Sequence, residues 1–575
     1  MTFLRKHAAG CALLSVLCCA AAAPYLLPAD PDSAVFRSGA LPLLLLLACF
    51  MPAGGALKRA ERGTLLRGLL LGFFFALALS LGSELAFYGE LLPGARSLLR
   101  RVAVPLLAAP LTGLLFARLA MLTLHGRRQS GGTLPFACAI FLFWLPVLLA
   151  YWPGMLNYDF AGEFAQHAEG YSAIHPLLHS AFQNGILRLF ESGGDYTRGL
   201  LALSLLQMAL FSLSLGRACA FVRARAGLPA ALFCALLFAL HPVFSVLSCS
   251  MTKDTLFAAA LLTLSLDLWE LLEGRRFTPL LILRILLCAV SVALLRTNGP
   301  VCLVPLLLLS CAAAKGLRGR MALLGLGCAA ASLCVQLALQ LLLSPAPFPG
   351  FQFYSVPAQQ LVRAHAEGTL TEEEAAELRA WYTDEAGLAV HPHLADPAKG
   401  YLDRARLETN GRDFLSLWAR AAGHSIKPYA EAFLQLNIGS WYPDDKSHAT
   451  IYPDVSWNDK GYLQTQELDI EGFETTSLLP GVQAFYEQIC RRNGYQKWPM
   501  LSLLFAPAVP FWVLLFAGMV LCCRGRRRLT APLFGALALW AGYLLGPCTL
   551  PRYLLPLFCL TPVALSTALA VKQKG

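Results

Sequence analysis

Charge is scarce in this chain: Asp, Glu, Lys and Arg make up 14% of its 575 residues, against 57% for hydrophobic types. That balance, with a mean hydropathy of +0.57, excludes an ordinary soluble domain. The sequence also lacks a Gly-rich nucleotide loop, the Walker and Rossmann fingerprints and zinc-finger spacings, so none of those modules is expected. It has no internal repeat and no low-complexity tract. Acidic residues are rarer still outside residues 345–497, a stretch that holds 21 of the 35. The 18 cysteines lie mostly inside apolar runs and read as small core residues. Cys490 and Cys548 fall in expected outer segments, and their pairing is left open.

Apolar runs of about 17–25 residues recur, each long enough to cross a hydrocarbon core of ~30 Å. Spans are expected near 11–27, 37–54, 66–86, 103–123, 134–152, 197–219, 229–249, 254–272, 279–296, 299–314, 321–344, 499–522, 530–547 and 553–571. The expected fold is an all-α polytopic membrane protein of about fourteen transmembrane helices, with a mostly helical extracytoplasmic domain. Alternate connections carry Lys58/Arg59/Arg62, Arg127/Arg128, Arg223/Arg225, Arg275/Arg276, Lys315/Arg318/Arg320 and Arg524/Arg526/Arg527/Arg528. With Arg5/Lys6 and Lys572/Lys574 they fall on one side, which the positive-inside rule makes the cytoplasm. Both termini are then cytoplasmic. Arg96, Arg100 and Arg101 dissent, in an outer loop. The N-terminus reads either as an uncleaved first span or as a signal peptide ending near Ala23. The +11 net charge reflects these loops, and no nucleic-acid partner is expected.

Four regions follow: N-terminal spans (1–133), a core (134–344), the polar insert (345–497) and C-terminal spans (498–575). In the insert, Thr371-Glu-Glu-Glu374 begins like a capped helix. Phe414 to Trp418 and Tyr429 to Leu436 carry helical apolar spacing, and 440–475 reads as loops.

Chemistry collects on one face. Cytoplasmic connections hold Arg and Gly, whereas outer ones hold mixed polar sets at the membrane boundary: Asp159 with Glu163, Lys253-Asp254, Arg296-Thr-Asn298 and Arg552-Tyr553. The insert adds Gln359, Gln360 and Arg363 near its start. A carboxylate at headgroup depth is costly unless it meets water, a cation or a substrate, so Asp159 is a functional candidate. Asn157 or Asp159 could cap a short helix reaching about His167, putting Asp159 and Glu163 one turn apart on one face. Residues 174–190 look like a surface-lying amphipathic helix, with Ile174, Leu178, Phe182 and Leu189 opposite His175, His179, Gln183 and Arg188. Plainer readings stand beside these. Asp159 could be only a cap, Lys253-Asp254 a helix start with a snorkelling lysine, and Arg296 and Arg552 interfacial anchors. His175 and His179, spaced i, i+4, could instead join a carboxylate in holding a metal.

Several short motifs carry a resemblance: Tyr151-Trp-Pro-Gly-Met-Leu-Asn-Tyr-Asp159, His175-Pro176, Lys253-Asp254-Thr-Leu-Phe, Arg296-Thr-Asn-Gly, Pro357-Ala-Gln-Gln360, Trp441-Tyr-Pro-Asp444 and Pro551-Arg-Tyr553. At these residues, from about 134 to the end, the chain resembles the GT-C class of polytopic glycosyltransferases. More closely, it resembles the bacterial family called domain of unknown function 6020. The resemblance implies a GT-C-like core with an outer catalytic loop at 153–196. It implies transfer of a sugar from a polyprenyl-phosphate donor to a glycan, lipid or protein acceptor, outside the bacterial cytoplasmic membrane. Asp159 takes the place of the catalytic base, with Glu163 and His175 assisting its position. Lys253, Arg296 and Arg552 are the phosphate candidates, and Asp254, Asn298 and Tyr553 are their neighbours in substrate binding. Gln359, Gln360 and Arg363 are expected to shape acceptor binding. The adjacent acidic pair common in that class is absent here. Glu163 stands in for the second acid, and use of a divalent metal stays open.

The chemistry is coherent in itself. A carboxylate taking the acceptor's proton contributes roughly 10²–10⁴-fold, arginine forks match phosphate, and direct displacement inverts the anomeric centre. Two alternatives remain. A transporter or flippase of lipid-linked precursors favours repeats and mid-membrane charges, whereas Asp267, Glu270 and Arg284 lie toward the cytoplasmic half. A non-catalytic scaffold would use the outer domain alone.

Overall fold

A computed structural model of the chain describes residues 1–26, 40–124, 132–156, 158–445, 472–491 and 499–570. Asn157, Arg127, Arg128, Lys572, Lys574 and most of 440–475 lie outside the described residues. Among those described the protein is all-helical, with isolated bridges and no strand. The N-terminal region forms α1 (Thr2–Lys6), α2 (Ala8–Leu26), α3 (Ala40–Arg59), α4 (Arg62–Tyr88) and α5 (Ala95–Ala120). Next come α6 (Thr133–Ala150), two short helices α7 (Tyr158–Glu169) and α8 (Leu177–Leu189), and the 30-residue α9 (Thr197–Ala226). Then follow α10 (Leu228–Leu240), α11 (Pro242–Cys249), α12 (Lys253–Leu272), α13 (Pro279–Leu294), α14 (Gly299–Ala313) and α15 (Arg318–Leu343).

Seven helices, α2, α4, α5, α6, α9, α12 and α15, are long and apolar enough to cross a membrane, which marks a multi-pass membrane protein. The expected count of about fourteen is therefore corrected. The bent pair α10–α11, which turns by 54°, makes at most an eighth. Four further apolar runs become shorter helices: α13, α14, Ala508–Cys523 and Leu555–Leu569 have 16, 15, 16 and 15 residues. At a 1.5 Å rise they cover roughly 24 Å, short of a ~30 Å core.

α12 is the hub: 89% of its apolar window is buried, against 11% for the peripheral α15. Its buried Trp269 donates to the Leu529 carbonyl at 2.8 Å, and Trp144 in α6 donates to Phe238 at 3.1 Å, so each large ring is packed without an orphaned N–H. The C-terminal end of α12 gathers basic residues. Arg225 and Arg526 both pair with Glu273, Arg217 and Arg284 pair with Asp267, and Arg275 pairs with Glu270. The internal charges Asp267, Glu270 and Arg284 thus belong to one arginine-bound cluster at that end.

The insert sits at the opposite end. Its helices are α16 (Ser355–Ala366), α17 (Glu372–Arg379), α18 (Asp396–Gly400), α19 (Arg404–Ala422), α20 (Ile426–Leu436) and α21 (Ile438–Trp441). The expected Thr371–Glu374 capping box forms at the start of α17. A separate apolar core around Leu361, Trp381, Phe414 and Leu417 holds these helices together. The insert is seated on the bundle by bonds from Ala395 N to the Pro547 carbonyl (2.8 Å), Asn437 to Leu544 (3.0 Å) and Trp512 to the Trp441 carbonyl (2.8 Å). It also grips the α4–α5 turn, where Glu431 accepts from Leu91 N and Arg363 donates to the Gly89 carbonyl. The dissenting Arg100 and Arg101 lie at this turn, paired with buried Glu84 at 3.3 and 2.8 Å. Cys490 and Cys548 are both free thiols.

Gly82 in α4 lets the ring of Tyr442 approach the helix backbone, since a Cβ there would lie 2.2 Å from Tyr442 Cγ. Overpacking of this kind costs about 1–3 kcal/mol. Gly82→Ala is expected to lower the melting temperature and to speed protease cleavage within the insert, as read by thermal melts and limited proteolysis.

Candidate functional site

Two local devices bring distant residues together. The chain before α7 runs beside the chain before α12: Met155 N donates to the Cys249 carbonyl at 2.9 Å, and Met251 N donates to the Met155 carbonyl at 2.8 Å. Buried Gln207 of α9 then donates to the Ser248 and Ser250 carbonyls at 3.0 and 2.7 Å, satisfying acceptors at the end of α11. Thr252 caps α12 and donates to the Asp254 carboxylate at 2.9 Å. The first turns of α7 and α12 therefore face each other.

Three carboxylates and three cations meet there. Lys253 Nζ lies 3.1 Å from Asp159 Oδ2 and 3.3 Å from Glu163 Oε1. Arg552, brought from the far C-terminal region, lies 3.1 Å from the same Asp159 Oδ2 and 3.7 Å from Asp254 Oδ2. Arg296 pairs with Asp254. Its guanidinium also stands over the rings of Tyr543 and Tyr553, at 5.0 and 4.8 Å from their centroids. Those two rings stack on each other, and Tyr553 lies next to the Arg552 guanidinium as well. Asn298 stands at the N-cap of α14, two residues after Arg296.

Glu163 is 1% exposed and is bonded from several sides. His179 Nδ1 bonds its Oε2, and His175 Nδ1 lies 3.7 Å from its Oε1. His175 can approach because α7 has glycine at 162: a Cβ there would lie 2.8 Å from His175 Nε2. Asp159 and Glu163 do share one face of α7, as their spacing implied. The two faces expected of the next segment left its orientation open. α8 buries His179, Ser180, Gln183 and Asn184 and leaves Leu189 76% exposed. His179 turns toward Glu163 on that buried side, where Leu177 and Leu187 are buried as well. An amphipathic pattern alone gives no sign of which solvent lies outside.

Charges shape the protonation states. Burial opposes ionisation of Asp159, but Lys253 and Arg552 outweigh it and hold the carboxyl well below its usual range. For Glu163, burial is likewise overcome, by His179 and Lys253, and the carboxyl is held down to about 2. Burial and the Lys253 ammonium push His175 below its ordinary value, so it is neutral near pH 7. Among the described residues no three His, Cys, Asp or Glu side chains form a group able to hold a metal ion. His175 and His179 turn to Glu163 instead.

Sequence reasoning picked out Asp159, Glu163, His175, Lys253, Asp254, Arg296, Arg552 and Tyr553, and the structure brings all eight into one cluster. It missed His179 as a partner of Glu163, although the i, i+4 spacing from His175 was visible. It also missed Tyr543, which reads as an ordinary span residue. Gln359, Gln360 and Arg363 make their bonds within and beneath the insert. Gln359 donates to the His391 carbonyl, and Gln360 bridges Trp418 and the Tyr429 carbonyl. Arg363 pairs with Glu431 at 2.9 Å. Gln360 and Arg363 thus hold α16 against α20, and Gln359 holds it to the segment before α18.

The fold and this cluster define a class: an all-helical, multi-pass membrane protein with a charged centre at one end of its bundle. Within that class the chain belongs to the family of unknown function DUF6020, whose model matches residues 166–575. The match begins later than the expected 134, so the Tyr151–Asp159 loop and Glu163 lie upstream of it. Their partners Lys253 and Arg552 lie inside. No curated protein and no solved structure matches the chain.

Removing one member of a buried charge pair costs about 3–5 kcal/mol. Glu163→Gln, which takes the carboxylate from His179 and leaves Lys253 with Asp159 alone, is expected to lower the melting temperature accordingly. The acid limb gives the sign. A carboxyl near 4.3 when unfolded and about 2 when folded stabilises fully above pH ~4.3 and loses that contribution as pH falls toward 2. Melts of the wild type should drop across that window more steeply than those of Glu163→Gln.

Proposed function

We propose that the chain is an integral membrane glycosyltransferase of GT-C type, moving a sugar from a polyprenyl-phosphate donor to an acceptor outside the bacterial cytoplasmic membrane. The observation that carries this reading is the placement of Asp159 between Lys253 and Arg552, at the end of the apolar bundle where the insert sits. A lipid tail in the bilayer presents its phosphate at that depth. The basic residues gathered at the other end of α12 support a cytoplasmic placement for that end, leaving the cluster and the insert outside.

In this scheme the donor phosphate replaces Asp159 as the anion beside Lys253 and Arg552, with Arg296 behind them. Arginine offers paired N–H donors in the geometry of phosphate oxygens. Displaced from its cations, Asp159 regains basicity and accepts the proton of the acceptor hydroxyl. That oxygen bonds to the anomeric carbon as the carbon–oxygen bond to phosphate breaks, and the lipid phosphate leaves with the electron pair. A single displacement inverts the anomeric centre. Glu163, His175 and His179 orient the helix that carries Asp159, while Asp254 and the paired tyrosines fix Arg296.

Purified protein in lipid nanodiscs, supplied with polyprenyl-phosphate hexoses and an envelope extract, is expected to transfer the sugar. Asp159→Asn should lower the rate by roughly 10²–10⁴-fold, read well below the melting temperature, which falls because Lys253 and Arg552 lose a shared carboxylate. Full activity in that variant overturns the base assignment. Absence of any covalent product with well-folded wild type overturns the enzyme reading.

A further inference from the structure

A second polar cluster lies beyond Glu163 and takes no part in the scheme above. Asp159, Glu163 and Gln166 stand at i, i+4 and i+7 on α7, one face of the helix. Facing them, α8 buries Ser180, Gln183 and Asn184. Asn184 Nδ2 donates to the Glu163 carbonyl at 2.8 Å, which sets the two faces against each other. Yet both Nε2 and Oε1 of Gln166 and of Gln183, the Ser180 hydroxyl and Asn184 Oδ1 find no hydrogen-bond partner among the described residues. Gln166 is 6% exposed and Gln183 0%.

Leaving such groups unsatisfied is costly, and two whole buried carboxamides on packed helices need a reason. The chemistry of the set limits the ligand. These groups are neutral and offer both donors and acceptors, whereas a phosphate finds its cations at Lys253, Arg296 and Arg552. An apolar tail would leave every one of them unpaired. Sugar hydroxyls both donate and accept, and so match a mixed amide and hydroxyl lining. Seven residues of helix separate Asp159 from Gln166, about 10 Å along the axis, a length that a short glycan covers. The end at Asp159 and His175 is the more open one, with side chains 19% and 17% exposed.

We propose that the α7–α8 face is an acceptor subsite for a neutral, multiply hydroxylated glycan, whose reacting hydroxyl is left at Asp159 while its body lies along Gln166, Ser180 and Gln183. The proposal rests on the glycosyltransferase reading and narrows its acceptor to a glycan. The test uses the double variant Q166L/Q183L in nanodiscs, probed with a panel of neutral disaccharides and with inorganic phosphate as control. Leucine removes the orphaned groups at similar size, so the variant is expected to melt at or above the wild type. Disaccharide should raise the wild-type melting temperature and leave the variant unmoved, while phosphate affects both alike. In transfer assays the KM for a glycan acceptor should rise about tenfold with kcat little changed.

A variant that melts lower or fails to fold shows that the amides serve the fold, and overturns the subsite. So does a disaccharide shift that survives in the variant, or a wild type that no disaccharide stabilises. The two readings fail separately. Sugar transfer that is indifferent to the glutamines removes the subsite and leaves the enzyme. Disaccharide binding that needs them, without any transfer, does the reverse.

Discussion

A carboxylate buried at the end of an apolar bundle survives only with cations beside it, and this protein places three carboxylates there against three cations. Burial of an ion is expensive, while removal of one partner from an established set is more damaging still. The set therefore acts as a joint. Asp159 and Glu163 come from α7, Lys253 and Asp254 from the start of α12, Arg296 from the turn before α14, and Arg552 from the last region of the chain. Four segments far apart in sequence have to meet within a few ångströms, and the backbone pairing of Met155 with Cys249 and Met251 keeps two of them in register.

The joint also explains why the resting site is close to neutral. Each cation suited to a phosphate already has a carboxylate, and the same Asp159 oxygen serves both Lys253 and Arg552. An incoming anion must compete with the protein's own acid. Such a site stays quiet toward water and holds Asp159 far from basic until the competitor arrives. Under the proposed glycosyltransferase reading, coupling of donor binding to base activation would follow from charge placement alone, with no moving lid required.

Much of this was legible in the chain. Apolar runs and basic loops marked the helices, and the contrast between Arg/Gly connections and mixed polar ones pointed to Asp159, Lys253, Arg296 and Arg552. The count of membrane-crossing helices was not legible, because hydropathy does not register breaks such as Pro242 or the early stop at Leu294. The orientation of α8 was not legible for a related reason. An amphipathic stripe gives two faces, and only the neighbouring Glu163 decides that His179 and Gln183 turn inward. The roles of Gln359, Gln360 and Arg363 depended on long-range partners at His391, in α20 and in the α4–α5 turn, which spacing along the chain does not reveal.

Binding of a polyprenyl phosphate to Asp159→Asn, compared with wild type in the same nanodiscs, tests the competition most directly. If Asp159 and the donor phosphate share Lys253 and Arg552, removing the carboxylate's charge frees both cations. The variant then binds the lipid phosphate more tightly than wild type, even though it cannot complete transfer. Weaker or unchanged binding in a well-folded Asp159→Asn protein would contradict the account.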